Sequence, residues 1–440
     1  MGWLGLDDTD GLTGGCTTHT FHKIISILTE ESANGANWGS VRDARLVRLW
    51  PFAPRRTRGN AAVACEILLS GENEGNEVEI EKSEQDLLLR LNQLWQQIVL
   101  VDAKANGASI ESEHDSRLQS KASPGMVWFN QKIPDDFYWR AVREKVSLDE
   151  AMQYIASQKG SKVWTHEDGH GCIGALAAIS WKGIADHTWE TTAYRLDKNI
   201  GIPRLINNNK VADISSKFPQ TFVNRDPTSG RTLISPRTPC PVLFGIRSES
   251  FDSGESAARW LLIGSSTERV SGMRIWRTNQ ATDDHLSNSF EGRLHRPPNV
   301  MKGGHTTILV KNTNSNSLQK CIAFSQSGDI RLLMQMLVEG DEVRYFGLAD
   351  ENGDIHLEKI CFTTLSHKRR IRPLCPCGTR FSSKGKGQNL KCPKCANRHI
   401  DSWIEGPLSD ELTALVGKWL EPPASARRHL AAPITRLPPN

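Results

Sequence analysis

The sequence predicts a multidomain α+β protein, and three observations lead there. Its 440 residues exceed what one core ordinarily holds, so two to four domains are expected. Its opening reads as strand, glycine-rich loop, helix. Its C-terminal third changes texture to short, evenly spaced strands followed by clustered cysteines.

Residues 3–6 are apolar and end in Asp7-Asp8-Thr9-Asp10, a short buried strand delivering acids at its end. Gly11-Leu12-Thr13-Gly14-Gly15-Cys16 follows, and Phe21, Ile24, Ile25 and Leu28 then recur at helical spacing, predicting a helix over 17–32. Residues 43–51 and 61–69 read as strands around Arg55-Arg56-Thr57-Arg58-Gly59-Asn60. Residues 84–104 read as helix, 105–123 as a polar loop and 125–129 as an apolar element. A second glycine-rich turn, Gly169-His170-Gly171-Cys172-Ile173-Gly174, leads into the apolar run Ala175–Trp181. From about 288, strands at 290–294, 305–311, 318–324, 342–348 and 355–361, with a short helix near 330–337, predict a small barrel of the OB type.

Net charge is only +4, yet residues 361–400 carry ten Lys or Arg and no acid, a footprint suited to a polyanion or to a solvated face. No run of 18 apolar residues occurs, so no membrane span is expected. The start lacks the pattern of a secretion signal, and six of the ten cysteines are scattered singly, which together predict a reducing cytoplasm.

Five motifs carry candidate chemistry. Asp7, Asp8 and Asp10 are hard oxygen ligands suited to magnesium, while Gly14, Gly15, Thr17 and Thr18 offer backbone amides and a helix start to phosphate. The bland alternative is an acidic turn with a helix cap. This is no Walker A loop, which requires Gly-Lys-Ser/Thr. Arg55, Arg56 and Arg58, with Gly59 and Asn60, suit triphosphate oxygens, an RNA backbone or a solvated basic loop. Gly171 and Gly174 form a turn able to hold a nucleotide, a weak signal that neighbouring Glu167 and Asp168 disfavour. Cys375-Pro376-Cys377 and Cys392-Pro393-Lys394-Cys395 make a four-thiolate zinc site, structural because no coordination position stays open. Its first pair is C-x-C rather than C-x-x-C; His367 and His399 could substitute as ligands, but a surface histidine is the better reading of each. Arg427-Arg428-His429 suits phosphate or an ordinary tail.

The order of six signatures resembles one family, the archaeal isoleucine-tRNA 2-agmatinylcytidine synthetases. They are Gly-x-Asp-Asp-Thr-Asp with Cys-Thr-Thr within 5–18, Thr-Arg-Gly-Asn at 57–60, Gly-x-Ile-Gly-Ala-Leu-Ala-Ala at 171–178, Thr-Pro-Cys-Pro-Val-Leu-x-Gly-Ile-Arg at 238–247, Thr-Asn-x-Ala-Thr-Asp at 278–283, and Ser-Ala-Arg-Arg-His-Leu at 425–430. The resemblance implies a kinase-like catalytic domain (1–195), a ferredoxin-like domain (196–287), an OB-fold β-barrel (288–365), a zinc ribbon (366–400) and a basic C-terminal tail (401–440). It implies an ATP-dependent ligase that activates C2 of the wobble cytidine of an isoleucine tRNA with a CAU anticodon. Agmatine then displaces the activated oxygen, giving agmatidine and AUA decoding.

The family is also one in which the threonine after the loop cysteine, here Thr17, becomes phosphorylated. On this resemblance Asp7, Asp8, Asp10 and Thr17 are the catalytic candidates. Gly14, Gly15, Thr18, Arg58, Gly59, Asn60, Gly171 and Gly174 are the ATP or phosphate contacts. Asp283, Arg427 and Arg428 are substrate contacts, with a structural cap as the alternative for Asp283. Where the family carries basic residues before the second glycine-rich turn, this chain has His166, Glu167, Asp168 and His170. ATP, Mg2+ and structural Zn2+ are the expected cofactors. A non-catalytic RNA-binding protein is the main alternative, but acids beside a glycine-rich turn would repel RNA. A small-molecule or protein kinase leaves the basic cysteine module unexplained.

Overall fold

A computed structural model describes the chain apart from residues 12, 13, 57, 58, 108–112, 115, 116, 119, 386 and 440 and the side chains of 106, 107, 113, 114, 117, 118, 368 and 370. It divides into two compact units, Met1–Ser287 with Arg428–Ala432, and Asn288–Arg427 with Pro433–Asn440.

The first unit is built on one nine-stranded sheet. Its first five strands are β1 (Gly2–Asp7), β2 (Ser40–Arg48), β3 (Ala61–Leu68), β6 (Gly125–Phe129) and β7 (Ser161–Thr165), in the order β7-β6-β1-β3-β2. A two-residue hairpin, β4 (Glu113–His114) with β5 (Arg117–Leu118), stands apart. Helix α1 (Thr17–Ala33) puts Phe21, Ile24, Ile25 and Leu28 against Leu4 and Leu6, the expected stripe on the expected strand. The same core takes Leu87, Leu91 and Leu94 from α2 (Glu77–Leu94). A π-turn, Trp95–Val99, then leads into α3 (Leu100–Gly107). Trp3 lies in the other core, with α4 (Asp136–Arg143), α5 (Leu148–Ser157) and α6 (Cys172–Ser180).

The remaining four strands are β8 (Thr188–Arg195), β9 (Thr221–Phe222), β10 (Val242–Ser248) and β11 (Val270–Thr278). With α7 (Asn208–Lys217) and α8 (Phe251–Leu262) they run β-α-β-β-α-β, and their order β11-β8-β10-β9 is the ferredoxin-like one. β11 joins the first five strands through a short parallel pairing, Arg277 to Arg45 and Thr278 to Leu46.

The second unit carries the predicted barrel. β12 (Phe290–Leu294), β14 (Thr306–Asn312), β15 (Leu318–Ala323), β16 (Glu342–Ala349) and β17 (Ile355–Thr364) close on themselves. β13 (Asn299–Val300) extends β14. The one parallel pairing within the ring is β15 with β17, and α9 (Asp329–Met334) lies between β15 and β16 in sequence, which is the OB arrangement. β18 (Lys368–Ile371) pairs with β21 (Ile404–Pro407), and β19 (Leu390–Lys391) with β20 (Arg398–His399), framing the cysteines.

Residues 401–440, expected as a tail, are instead structured. They hold β21, α10 (Asp410–Thr413) and β22 (Trp419–Leu420), which pairs with β17. Leu412 is buried in the barrel core and Leu430 in the first unit, so this stretch supplies apolar groups to both.

Candidate active site

β1 is held between β3 and β6 and buried on both faces, so its end is fixed in place. There the chain turns through Asp8, whose φ of +61° is a left-handed conformation that aspartate tolerates better than most residues. The Asp8 amide donates to Asp7 Oδ1 at 2.7 Å, closing the turn. Thr9 is fully buried and Asp10 nearly so. Gly11 N–H donates to the Gly14 carbonyl at 3.1 Å, and Gly15, at φ +74°, redirects the chain into α1.

The sequence candidates Asp7, Asp8, Asp10 and Thr17 thus come together. Thr17 Oγ1 donates to Asp10 Oδ1 at 3.1 Å and accepts the Thr9 amide at 3.3 Å. Burial pushes the Asp7 carboxyl well above the ordinary range, aided by the charge of Asp8. Burial, and then the charge of Asp10, raise Asp8 to about 8, although Arg55 and the Ser123 amide act against it. Positive charge brought near Asp7 and Asp8 would offset this cost, although among the described residues the set of ligand atoms close enough together to enclose a metal is that of Cys375, Cys377, Cys392 and Cys395.

Ser123, which the sequence reading passed over inside a polar loop, ties this end together. Its amide donates to Asp8 Oδ2 at 3.3 Å, its hydroxyl donates to Asp168, and it accepts the amides of His170 and Gly171. Asp168 also pairs with Arg55, so the acid that disfavours phosphate at the second glycine-rich turn is neutralised locally. Gly171 and Gly174 pack directly on Asp7. A Cβ on Gly171 would meet the Asp7 carbonyl oxygen at 2.4 Å.

Thr18 stands in the first turn of α1, where its carbonyl accepts the Tyr194 hydroxyl at 3.1 Å and its Oγ1 contacts Cys16 Sγ at 3.0 Å. Cys16 is the N-cap, extended and without a side-chain cap bond. A 17-residue helix therefore presents its positive end beside the acids.

Thr57 and Arg58 lie outside the described residues. Asn60 folds back, its Nδ2 donating to the Trp50 carbonyl at 2.8 Å, and Gly59 faces a cluster that the sequence reading missed. There Arg48 and Arg247 share one carboxylate, Glu190, at 3.9 and 4.0 Å. Glu190 instead takes close hydrogen bonds from Gln280 Nε2 and Thr192 Oγ1. His429 Nδ1 lies 3.1 Å from Arg247 and 3.2 Å from Gln280 Oε1, and the charge of Arg48, joined by that of Arg247, holds its pKa below the usual range. Arg48 Nε is buried and lacks a hydrogen-bond partner among the described residues. Two guanidinium groups thus stand near one carboxylate, and Cys16 is close enough to act on Arg48. The available signal was the set of separate motifs at 57–60, 238–247, 278–283 and 425–430, each of which contributes to this one place.

Asp283 has φ +59°, and its Oδ1 accepts the Ala432 amide at 2.8 Å while its own amide donates to the Leu430 carbonyl, so it anchors 430–432. Arg428 stacks over Phe52, its guanidinium 4.7 Å from the ring centre. Arg427, in the second unit, pairs with Glu421 at 2.7 Å. Also in the second unit, the thiols of Cys375, Cys377, Cys392 and Cys395 all lie within 4.8 Å of one another. The short C-x-C therefore still closes a four-sulfur set, helped by a turn in which the Gly378 amide donates to the Cys375 carbonyl. His399 packs against Phe381 in a tilted contact outside that set, and His367 is not part of it.

Aspartates at a helix start in one unit, with a barrel and a four-thiol ribbon in the other, fit the class of multidomain RNA-modifying enzymes. Family models match in sequence along the chain: the TiaS TCKD domain over 3–167, the TiaS FLD domain over 169–285 and the TiaS C-terminal zinc ribbon domain over 372–405. An isoleucine-tRNA 2-agmatinylcytidine synthetase from Archaeoglobus fulgidus is 30% identical across 99% of this chain and 97% of its own. One from Methanosarcina mazei is 31% identical across 98% and 97%. A solved complex of TiaS with an isoleucine tRNA, AMPCPP and agmatine superposes with a TM-score of 0.74 at 28% identity, covering 99% of this chain and 97% of that one. The chain belongs to the isoleucine-tRNA 2-agmatinylcytidine synthetase family, TiaS.

Proposed function

We propose that this protein is an ATP-dependent ligase that joins agmatine to C2 of the wobble cytidine of an isoleucine tRNA, forming agmatidine. Membership of the family and the relatives solved with an isoleucine tRNA, an ATP analogue and agmatine support the overall reaction. One observation carries the assignment of the chemistry to this chain's own residues: Asp10 accepts the Thr17 hydroxyl at the start of α1, with Asp7 and Asp8 near enough to feel the charge of Asp10.

Displacing the C2 oxygen of cytidine requires turning a poor leaving group into a good one, which phosphorylation does. Asp7, Asp8 and Asp10 are the residues that would hold magnesium, whose chemistry is to offset charge on the nucleotide phosphates. Asp10 takes the Thr17 hydroxyl proton when Thr17 accepts a phosphoryl group. The α1 amides at Gly15–Thr18, with Arg48 and Arg247 beside Gly59, supply positive charge to an anionic ligand. The cytidine must turn out of the anticodon loop to reach this place. The four thiolates hold structural zinc, and the basic residues of 361–400 bind the tRNA backbone. Asp283, Arg427 and Arg428 serve the substrate side by fixing the C-terminal segment.

Mass spectrometry of the CAU-anticodon isoleucine tRNA incubated with the protein, ATP and agmatine tests this. A mass gain of agmatine less water on the wobble cytidine is expected. No gain with the parent protein, or an undiminished gain with Asp8→Ala, overturns it.

A further inference from the structure

Behind Thr17 lies a chain of hydroxyl groups that ends on a helix about eighty residues away in sequence. Thr9 Oγ1 is 3.4 Å from Thr17 Oγ1 and 3.2 Å from Thr20 Oγ1. Thr20 Oγ1 in turn donates to Asp102 Oδ2 at 2.8 Å. Lys23 Nζ, at 3.1 and 3.2 Å, pins the same carboxylate. Asp102 belongs to α3, which comes directly after the π-turn Trp95–Val99. One extra residue in a helix rotates the downstream turns by about 100°. That turn therefore sets which face of α3 meets α1.

We infer that Asp102 is a positioning residue for Thr17, acting through Thr20 and Thr9 to keep one lone pair of the Thr17 oxygen open. This rests on the reading of Thr17 as a phosphoryl acceptor. An ionised carboxylate only accepts, so the single proton of Thr20 goes to Asp102, where the bond is charge-assisted, rather than to the Cys16 carbonyl at 3.4 Å. The Thr20 oxygen then accepts the Thr9 proton, which is drawn away from Thr17. Thr17 is left with one acceptor site filled by the Thr9 amide and its own proton given to Asp10. Among the described residues, the side-chain donor towards its second lone pair is Thr9 Oγ1 at 3.4 Å, whose proton is turned to Thr20.

In the step this prepares, that lone pair forms an oxygen–phosphorus bond to the terminal phosphoryl of a nucleoside triphosphate. The bond to the bridging oxygen breaks, the nucleoside diphosphate leaves, and the Thr17 proton passes to Asp10. Without the Asp102 charge, the Thr20 proton is free to turn to Thr9 Oγ1, the Thr9 proton then turns to Thr17, and the open lone pair is capped; with valine at 20, Thr9 loses that acceptor and turns to Thr17 in the same way.

The test measures phosphate incorporation on Thr17 from labelled ATP in single turnover, with peptide mapping of the label and ATP affinity in parallel. Asp102→Asn and Thr20→Val are expected to slow labelling by roughly ten- to a hundredfold, with ATP affinity within about twofold of the parent. Thr20→Ser, which keeps the hydroxyl, restores the rate. Unchanged rates in both variants, equal losses in Thr20→Val and Thr20→Ser, or a slowing matched by lost ATP affinity overturns the positioning role. Absence of label on Thr17 in the parent overturns the underlying reading as well, and the peptide map separates that failure from the others.

Discussion

Gly174 sits so close to Asp7 that a methyl group on its Cα would stand 1.9 Å from the carboxylate oxygen Oδ2. The second glycine-rich turn thus has a packing reason for its glycines. They let α6 settle onto the end of β1, and its apolar run Ala175–Ile179 fills the core behind. Gly174→Ala should destabilise the protein by about 1–3 kcal/mol through overpacking. Agmatidine formation should fall further than the loss of fold explains, because the displaced group is Asp7. Thermal melts beside turnover at a temperature where the variant is folded check this, and full activity there would refute it.

Asp8 predicts a pH effect whose sign follows from its raised value. Its folded value near 8 lies above the ordinary carboxylate range, so its contribution to stability is fully present below that range and is lost as pH rises through about 8. Without divalent cations, Asp8→Asn should be more stable than the parent at pH 8, by roughly 1–3 kcal/mol. The gap should close towards pH 4. Magnesium binding near pH 7 should also release protons, seen as a dependence of calorimetric heat on the buffer's ionisation enthalpy.

Gly59→Ala probes the arginine cluster without removing a charge. The added Cβ would meet Arg48 Nη1 at 2.4 Å, so the guanidinium must move. If Arg48 serves an anionic ligand, KM for ATP or for tRNA should rise about three- to tenfold, with a smaller change in kcat. Unaltered KM for both would remove Arg48 from the binding site.

The thiolate module predicts a separation of functions. Cys392→Ser should lose bound zinc, measured by metal release, and weaken tRNA binding by about tenfold. ATP use in the absence of tRNA should stay at the parent level, since the acids and the four sulfurs belong to different units.

How far all this was legible in the sequence depends on the distance over which each pattern acts. The β1–loop–α1 opening was legible because the apolar spacing of Phe21, Ile24, Ile25 and Leu28 is local and the acids follow the strand directly. The barrel was legible because each strand is short, alternating and bounded by turn residues. The single nine-stranded sheet was not: β11 reaches β2 through two residue pairs separated by more than two hundred positions, and nothing in either strand announces the other. Arg48 and Glu190 escaped for a similar reason, since each looks like an ordinary charged strand residue until Arg247, Gln280 and His429 are brought beside it. Asp102 was legible only as part of a helix. The partner that gives it meaning, Thr20, lies on another helix.

Leu430 is 2% exposed in the core that also holds Trp3 and α6. Leu430→Ala should cost about 2–4 kcal/mol and loosen His429, measured as a drop in the unfolding midpoint together with a slower reaction.

That buried leucine has a consequence for how the protein is made. The first unit takes its last wall from residues 428–432, which leave the ribosome only after the whole barrel and ribbon. Those modules are therefore translated before the first unit can finish folding. A nascent chain interrupted anywhere before that point carries the aspartates but not the segment that brings His429, so a completed first unit marks a polypeptide that already holds its barrel and ribbon.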